Sequence, residues 1–449
     1  MIETGVHDTA DKAGRRPGIA DRVTTAAGAS LGLGVGLVVL NFLISVLTAR
    51  VLGAYGFGIF ATSIALLSIL SIPALLGVDR VATRSIATYH EQHQVELARG
   101  ILRRTAQVVL VSSSILAAVV IGIVVLAPDS FADPIAFVVA ALALPLLALS
   151  RVRQAALLGL GHVIAAQVPE AIIRPLVYLA ALAVLVLIGA TVPPALALAL
   201  YLAAAATAFL MGTVLLRRVT TRVLGHGGTV LPASGWWRQA LPLTLVSGSG
   251  LLIANLPVLV IATLTGPAEA GLFAVAHRAA NIQVLGLTAM NTVVGPTIAR
   301  LTARSDSVSL QYVLTRAARR AFLVTLLIGG GMVVFRENLL GLFGDEFRDA
   351  ALPLVILTVG QVVSAACGSV GTLFVMTNQT RYAAAGFVIG AATTSVLLLL
   401  LVPSWGAVGA SLATATGVAT WNVCLLYFAW SKSRIDPSIV GRSWDYHDA

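Results

Sequence analysis

The chain is predicted to be an all-α integral membrane protein of about twelve transmembrane helices, split six and six. Three observations predict this. The first is composition: 58% of the 449 residues are hydrophobic and 11% are charged, where a soluble chain carries about 25% charged residues. A soluble core cannot absorb that much apolar surface, so lipid must solvate most of it. The second is pattern. Apolar residues come in long continuous runs rather than short alternating ones, and backbone groups in hydrocarbon must bond internally, so helices are expected and not barrel strands. The third is the placement of basic residues, which gather on alternate sides of those runs.

The first 22 residues are polar and hold no apolar core, so a cleavable signal peptide is not expected and the first span would direct insertion. Apolar windows of about 20 residues then fall at 24–49, 56–78, 105–127, 134–150, 167–189 and 192–216. A polar stretch, 217–238, separates them from 239–265, 271–298, 317–335, 351–376, 382–402 and 405–430. The expected organisation is an N-terminal tail (1–23), a first bundle (24–216), a linker (217–238), a second bundle (239–430) and a C-terminal tail (431–449). Cys367 and Cys424 sit inside apolar runs and read as small packing residues.

With both termini cytoplasmic, the inside segments hold 24 of the 29 Lys and Arg, among them Arg151 and Arg153. The outside loops keep Arg336 and Arg348 among seven acids. This is the positive-inside pattern of a multi-pass protein of a bacterial inner (plasma) membrane. The net charge of +10 therefore reports topology and attraction to anionic membrane lipids, and no nucleic-acid partner is expected.

The halves echo each other. Gly53-x4-Gly58-Ile-Phe-Ala follows the first window and Gly266-x4-Gly271-Leu-Phe-Ala follows the seventh, at an offset of 213. Both halves begin inside, so the repeat is parallel, about an axis along the membrane normal. The first window is rich in glycine (Gly28, Gly32, Gly34, Gly36) with Asn41, and the seventh holds Pro242, Gly248, Gly250 and Pro257 with Asn255. Either these helices are interrupted along a substrate path, or the glycines serve close packing.

The run Ala49-Arg-Val-Leu-Gly-Ala-Tyr-Gly-Phe-Gly-Ile-Phe60, continuing to Leu76-Gly-Val-Asp-Arg80, resembles the opening of Wzx-type oligosaccharide flippases, in the superfamily that also holds MATE drug exporters and lipid II flippases. Gly271-Leu-Phe through His277-Arg278, Gly295-Pro-Thr-Ile-Ala-Arg300, Leu342-Phe-Gly-Asp-Glu-Phe347 and Gly406-Ala-Val-Gly-Ala-Ser-Leu-Ala-Thr414 add to it in order. His277 stands where relatives often have tyrosine, and lipid II flippases usually have more helices than are counted here. The resemblance implies two six-helix bundles related by the parallel repeat and facing each other across a central cavity, with alternating access that moves an undecaprenyl-diphosphate-linked glycan to the outer leaflet for cell-surface polysaccharide synthesis. It also implies pathway partners, a polymerase or glycosyltransferases. No cofactor is expected.

Such cargo carries about two negative charges that cannot cross hydrocarbon unaided, and arginine's planar fork suits phosphate. The candidate cavity residues are Arg278 with His277 and Asn281, Arg174, Arg50, Asn41 and Asn255. Arg278 either faces the cavity or snorkels outward, and Arg174 either binds phosphate or is neutralised by Glu170 at i−4. Arg50 ends the first span, where snorkelling competes with its place in the motif. Asp79, Arg80 and Arg84 either receive the headgroup or mark topology. His90, His93, Glu91 and Glu96 read as a solvated loop rather than metal ligands.

The rival transporter is a MATE-like cation-coupled multidrug antiporter. It needs membrane acids, and Glu170 is the one acid well inside a window. An enzyme of the glycosyltransferase or polymerase type would need a large outside loop, and the longest, 336–350, is short. The chain is therefore read as a transporter, not an enzyme.

Overall fold

The computed structural model describes residues 19–225, 228–230 and 240–441, with side chains from residue 36 onward except 231–247, 289, 293 and 433. The early basic residues Lys12, Arg15 and Arg16, the linker's Arg238 and the tail Trp444–His447 lie outside the described residues.

Among the described residues the chain is helical with no strand, and nine helices are long and apolar enough to cross a membrane. In order they begin with α1 (Ile19–Leu75), the amphipathic α2 (Val78–Glu91), α3 (Val95–Leu126) and α4 (Pro134–Gly159). Next come α5 (Val163–Val168) and α6 (Arg174–Leu187), joined by a π-helical turn at Pro169–Ile173, and then α7 (Pro194–Leu224). The second half holds α8 (Ala240–Leu264), then α9 (Pro267–Ala280) and α10 (Val284–Ala303), with a 3-10 turn at Asn281–Gln283 between them. It closes with α11 (Ser307–Val334), the short α12 (Arg336–Gly341), α13 (Ala351–Cys367), α14 (Val370–Met376) and α15 (Thr380–Phe428).

Two of these helices are too long for one crossing. The apolar stretch Gly36–Leu75 has 40 residues and Thr380–Lys432 has 53, while a hydrocarbon core takes about 20. Each is broken once, at Gly53 (φ 67, ψ 177) and at Gly406 (φ 49, ψ −128). Both angles lie where a side chain is strained and glycine is not. A carboxylate meets each break: Glu269 accepts the Ala407 N–H at 2.9 Å, and Glu346 lies where a Cβ on Gly53 would point.

Several window boundaries move. α3 starts at Val95, α7 runs to Leu224 and α11 starts at Ser307, so the arginines expected in loops there stand on helix ends. Hydropathy falls at the first charges, but the buried stripe continues through Ala98, Ile101, Thr105 and Val109 in α3 and through Leu310, Leu314 and Ala317 in α11. The stretch expected as a solvated loop around His90 forms α2, whose Val78, Val81, Ala82 and Ile86 are buried at helical spacing. Of the two readings of the first and seventh spans, interruption is not seen among the described residues: α1 stays helical through Gly28–Gly36 up to Gly53, and α8 passes through Pro257 unbroken. The irregular turns fall instead beside Arg174 and just after Arg278.

The core is divided unevenly. One buried cluster draws on both halves, including Phe57, Phe60, Phe273, Phe343, Phe347 and Leu398. The four others are confined to one half each, one within 290–435 and three within 64–224. The halves therefore join firmly at one end. There the two motif copies pack on each other: a Cβ on Gly58 would lie 1.7 Å from the Pro267 carbonyl oxygen, and one on Gly271 would lie 2.1 Å from that of Ala54. Ala54 and Pro267, like Gly58 and Gly271, are related by the same offset of 213.

Candidate functional site

Between the halves lies a cavity of about 800 Å³. Its lining begins at Asp79, Arg80 and Arg151, passes Gln154, Gln167 and Glu170, and ends at Arg174, Tyr201 and Asn41. A second cavity of about 370 Å³ continues from there; it shares Asn41, Arg174 and Tyr201 and adds Ser45, Tyr178, Arg278 and Asn281. Together they form a path of charged and polar groups set among apolar ones, which stops short of the Gly58–Gly271 contact.

Arg174 opens α6, directly after the π-helical turn that carries Glu170. π turns arise where the helix ladder is forced out of register, often at functional positions, and Pro169 starts this one. Arg174 Nη1 reaches Glu170 Oε2 at 3.1 Å, and its Cζ lies 5.5 Å from the Tyr201 ring centre. The other Glu170 oxygen is taken by Arg153, at 2.8 Å from Nη2. Arg153 is thus no loop residue: it is buried, and its Nη1 also donates to the Ala208 and Phe209 carbonyls at 3.0 and 2.9 Å. One carboxylate serves two guanidinium groups, so this trio keeps one positive charge beside the cavity.

Gly212 makes room for Arg153, since a Cβ there would sit 2.1 Å from its Cζ. Gly212→Ala is expected to push the guanidinium out of its bonds, which at a buried ion pair costs on the order of 3 kcal/mol. Thermal unfolding of the purified variant checks this, and an unchanged melting temperature would show that Arg153 relocates freely.

Arg278 closes the path. Its Nη1 donates to Ser45 Oγ at 2.6 Å and its Cζ lies 5.0 Å from the Phe57 ring centre. Among the described residues no carboxylate lies within ion-pair distance of it. Between the two arginines Tyr178, Tyr201 and Phe60 pack as a trio with ring centres 6.0–6.3 Å apart, and the Tyr178 hydroxyl meets Thr48 Oγ1 at 3.3 Å.

The structure thus gathers Arg278, Arg174, Asn281, Asn41, Asp79 and Arg80 along one path. It places the other candidates elsewhere. Arg50 donates through Nε to the Leu342 carbonyl at 2.5 Å, because the end of α12 presents carbonyls without helical partners. His277 stacks on Phe273 with ring centres 5.6 Å apart and its Nε2 lies 3.4 Å from Asn281 Nδ2. Asn255 donates to the Leu251 carbonyl one turn back, and Arg84 is exposed on α2. None of these four lines either cavity. Reading the sequence missed Arg153, Arg151, Tyr178 and Tyr201. Tyr178 had a signal, one turn after Arg174, but the sequence separation of Arg153 and Glu170 encodes no contact.

A multi-pass helical membrane protein with a charged path between its halves has the build of a transporter. The chain belongs to the polysaccharide biosynthesis protein family, whose model matches residues 25–302. It is 25% identical over 175 residues to the probable low-salt glycan biosynthesis flippase Agl15 of Haloferax volcanii, a match spanning 39% of this chain and 37% of that relative. In fold it is similar to an inward-facing multidrug resistance MATE family transporter of the MOP superfamily (TM-score 0.65, 15% identity, 89% of this chain and 94% of that one). The lipid II flippase MurJ in an inward closed conformation is similar too (TM-score 0.64, 11% identity, 88% and 86%). So is a MOP superfamily transporter from Pyrococcus furiosus (TM-score 0.57, 15% identity, 90% and 93%).

Proposed function

We propose that this protein is a flippase that carries an undecaprenyl-diphosphate-linked oligosaccharide from the cytoplasmic to the outer leaflet of a bacterial plasma membrane, for cell-surface polysaccharide synthesis. The observation that carries the reading is the charge along the path. Arg80, Arg151, Arg174 and Arg278 line it against Asp79 and Glu170, and Glu170 is already engaged by Arg153 and Arg174. A net cationic path inside a membrane is costly unless an anion uses it.

The topology follows the same logic. Splitting α1 at Gly53 and α15 at Gly406 and adding α8 to the nine long apolar helices gives twelve spans. An even number puts both termini on one side, the positive-inside rule makes that side cytoplasmic, and on this reading the spans group into parallel bundles at 24–216 and 239–430. The Arg80–Arg151 end of the path then faces the cytoplasm and the Gly58–Gly271 contact closes the outer side. The headgroup enters past Asp79 and Arg80, and Arg174 and Arg278 take the diphosphate in turn. The tyrosine trio offers the adjoining sugars apolar faces with hydroxyl handles. The polyprenyl tail stays in lipid. Separation of the bundles at the glycine contact would release the headgroup outside. Outward movement of two negative charges gains about 4–5 kcal/mol per 100 mV of inside-negative potential, so no coupled cation is required. A polymerase or glycosyltransferases of the same pathway would supply and consume the cargo.

The second reading, a cation-coupled drug antiporter, draws on the likeness in fold to MATE transporters, but among the described residues no free acid lies deep in the path. Thermal stability in detergent separates the two. Undecaprenyl-diphosphate-linked glycan should raise the melting temperature, since a ligand at 100 times its Kd stabilises by about 2.7 kcal/mol. Lipophilic cationic dyes should leave it unchanged. Stabilisation by the dyes and not by the lipid diphosphate would favour the antiporter.

A further inference from the structure

We infer that Glu170 is a resident stand-in for the cargo's phosphate, holding Arg174 while the path is empty and yielding it when the anion arrives. This rests on the reading of the path as a diphosphate route. The two arginines on this one carboxylate are held very differently. Arg153 is 3% exposed and is pinned by Glu170 and by two backbone carbonyls, with Gly212 shaped around its guanidinium. It has nowhere to go. Arg174 is 26% exposed, lines both cavities, and among the described residues makes one ion pair, with Glu170, beside the Tyr201 ring.

An exchange at Arg174 is therefore balanced. A guanidinium fork accepts carboxylate and phosphate oxygens alike, so a phosphate can replace Glu170 at Arg174 while Arg153 continues to neutralise the carboxylate. Neither the empty nor the loaded state then strands a buried charge. The same balance serves release. A carrier must let its cargo go, and tight uniform binding would lower the concentration needed without raising turnover. When Arg174 swings back to Glu170, the phosphate loses a donor that another anion is waiting to occupy. Arg278, with no carboxylate in reach among the described residues, has no such competitor. The path thus holds one exchangeable arginine and one that stays committed to the cargo.

Glu170→Gln alone would leave Arg153 buried without a counter-ion, so the test is made in an Arg153→Met background. Initial rates of transbilayer movement of a fluorescent undecaprenyl-diphosphate-linked oligosaccharide are measured in proteoliposomes over a range of cargo density. Adding Glu170→Gln to Arg153→Met is expected to lower the apparent KM roughly fivefold, the upper range for one partly exposed ion pair, and to slow maximal turnover by a similar factor. A merely structural role would lower turnover and leave KM in place. An unchanged or raised KM in the double variant, with wild type active, overturns the exchange and leaves the flippase reading standing. Wild type that neither binds nor moves the lipid diphosphate overturns both.

Discussion

Arg278→Ala is expected to reduce transbilayer movement of the lipid-linked diphosphate by roughly 10- to 100-fold, the loss of one charge-assisted hydrogen-bonding group of about 1.5–3 kcal/mol. The direction of the stability change makes the result diagnostic. In the empty protein Arg278 is held by Ser45 and the face of Phe57, without a carboxylate partner among the described residues. Removing an uncompensated charge from the membrane interior relieves a cost, so the variant should melt at or above the wild-type temperature. Arg278→Lys keeps the charge but loses the fork and should fall between the two in transport. Loss of transport accompanied by a lower melting temperature would mean that Arg278 is structural, and the cationic path would lose its innermost member.

The second large effect is expected where the motif copies meet. At Gly58 any side chain would begin 1.7 Å from the Pro267 carbonyl oxygen, and at Gly271 it would begin 2.1 Å from that of Ala54. The obstacle is backbone in both cases, so no rotamer change relieves it. Overpacking costs about 1–3 kcal/mol where side chains can adjust, and here the two segments must part. Gly58→Val and Gly271→Val are each expected to abolish transport by holding the outer contact open. Ala54, 8% exposed in the closed contact, reports the state directly. A cysteine placed there, with Cys367 and Cys424 replaced by alanine, should react with a membrane-impermeant thiol reagent in the valine variants and resist it otherwise. Because both glycines serve one contact, the Gly58→Ala and Gly271→Ala effects should be less than additive. Full additivity, or unaltered labelling, would show that this contact does not gate the outer face.

The helical, membrane-spanning fold was legible in the sequence because hydropathy acts at the level of whole segments, and the offset of 213 marked in advance the two glycines that meet. The meeting of Gly58 with Gly271 gives that repeat a physical meaning: two equivalent turns can close on each other only if neither carries a Cβ. Helix ends were less legible. Windows that stopped at the first arginines missed the buried stripes of α3 and α11, which continue beneath the charges. The site was half legible. Arg174 and Arg278 stood out because charge inside an apolar run is rare, and the pairing of Arg174 with Glu170 follows from their spacing. Arg153 did not stand out. It lay just beyond a short window and counted toward topology, and only the packing of α4 against α7 and the π turn reveals it as the second partner of Glu170. Arg50 misled for the opposite reason: its motif position drew attention, while its actual partners are carbonyls at the end of α12, distant in sequence.

On the proposed function, an anionic lipid-linked headgroup crosses through this path. The measurement that tests it most directly is movement of a fluorescent undecaprenyl-diphosphate-linked oligosaccharide between leaflets of liposomes containing the purified protein, against protein-free liposomes. Movement is expected to depend on the protein and to accelerate under a potential that draws the diphosphate across. Absence of movement for several glycans, together with proton- or sodium-driven export of cationic dyes by the same liposomes, would contradict it and assign the path to an antiporter.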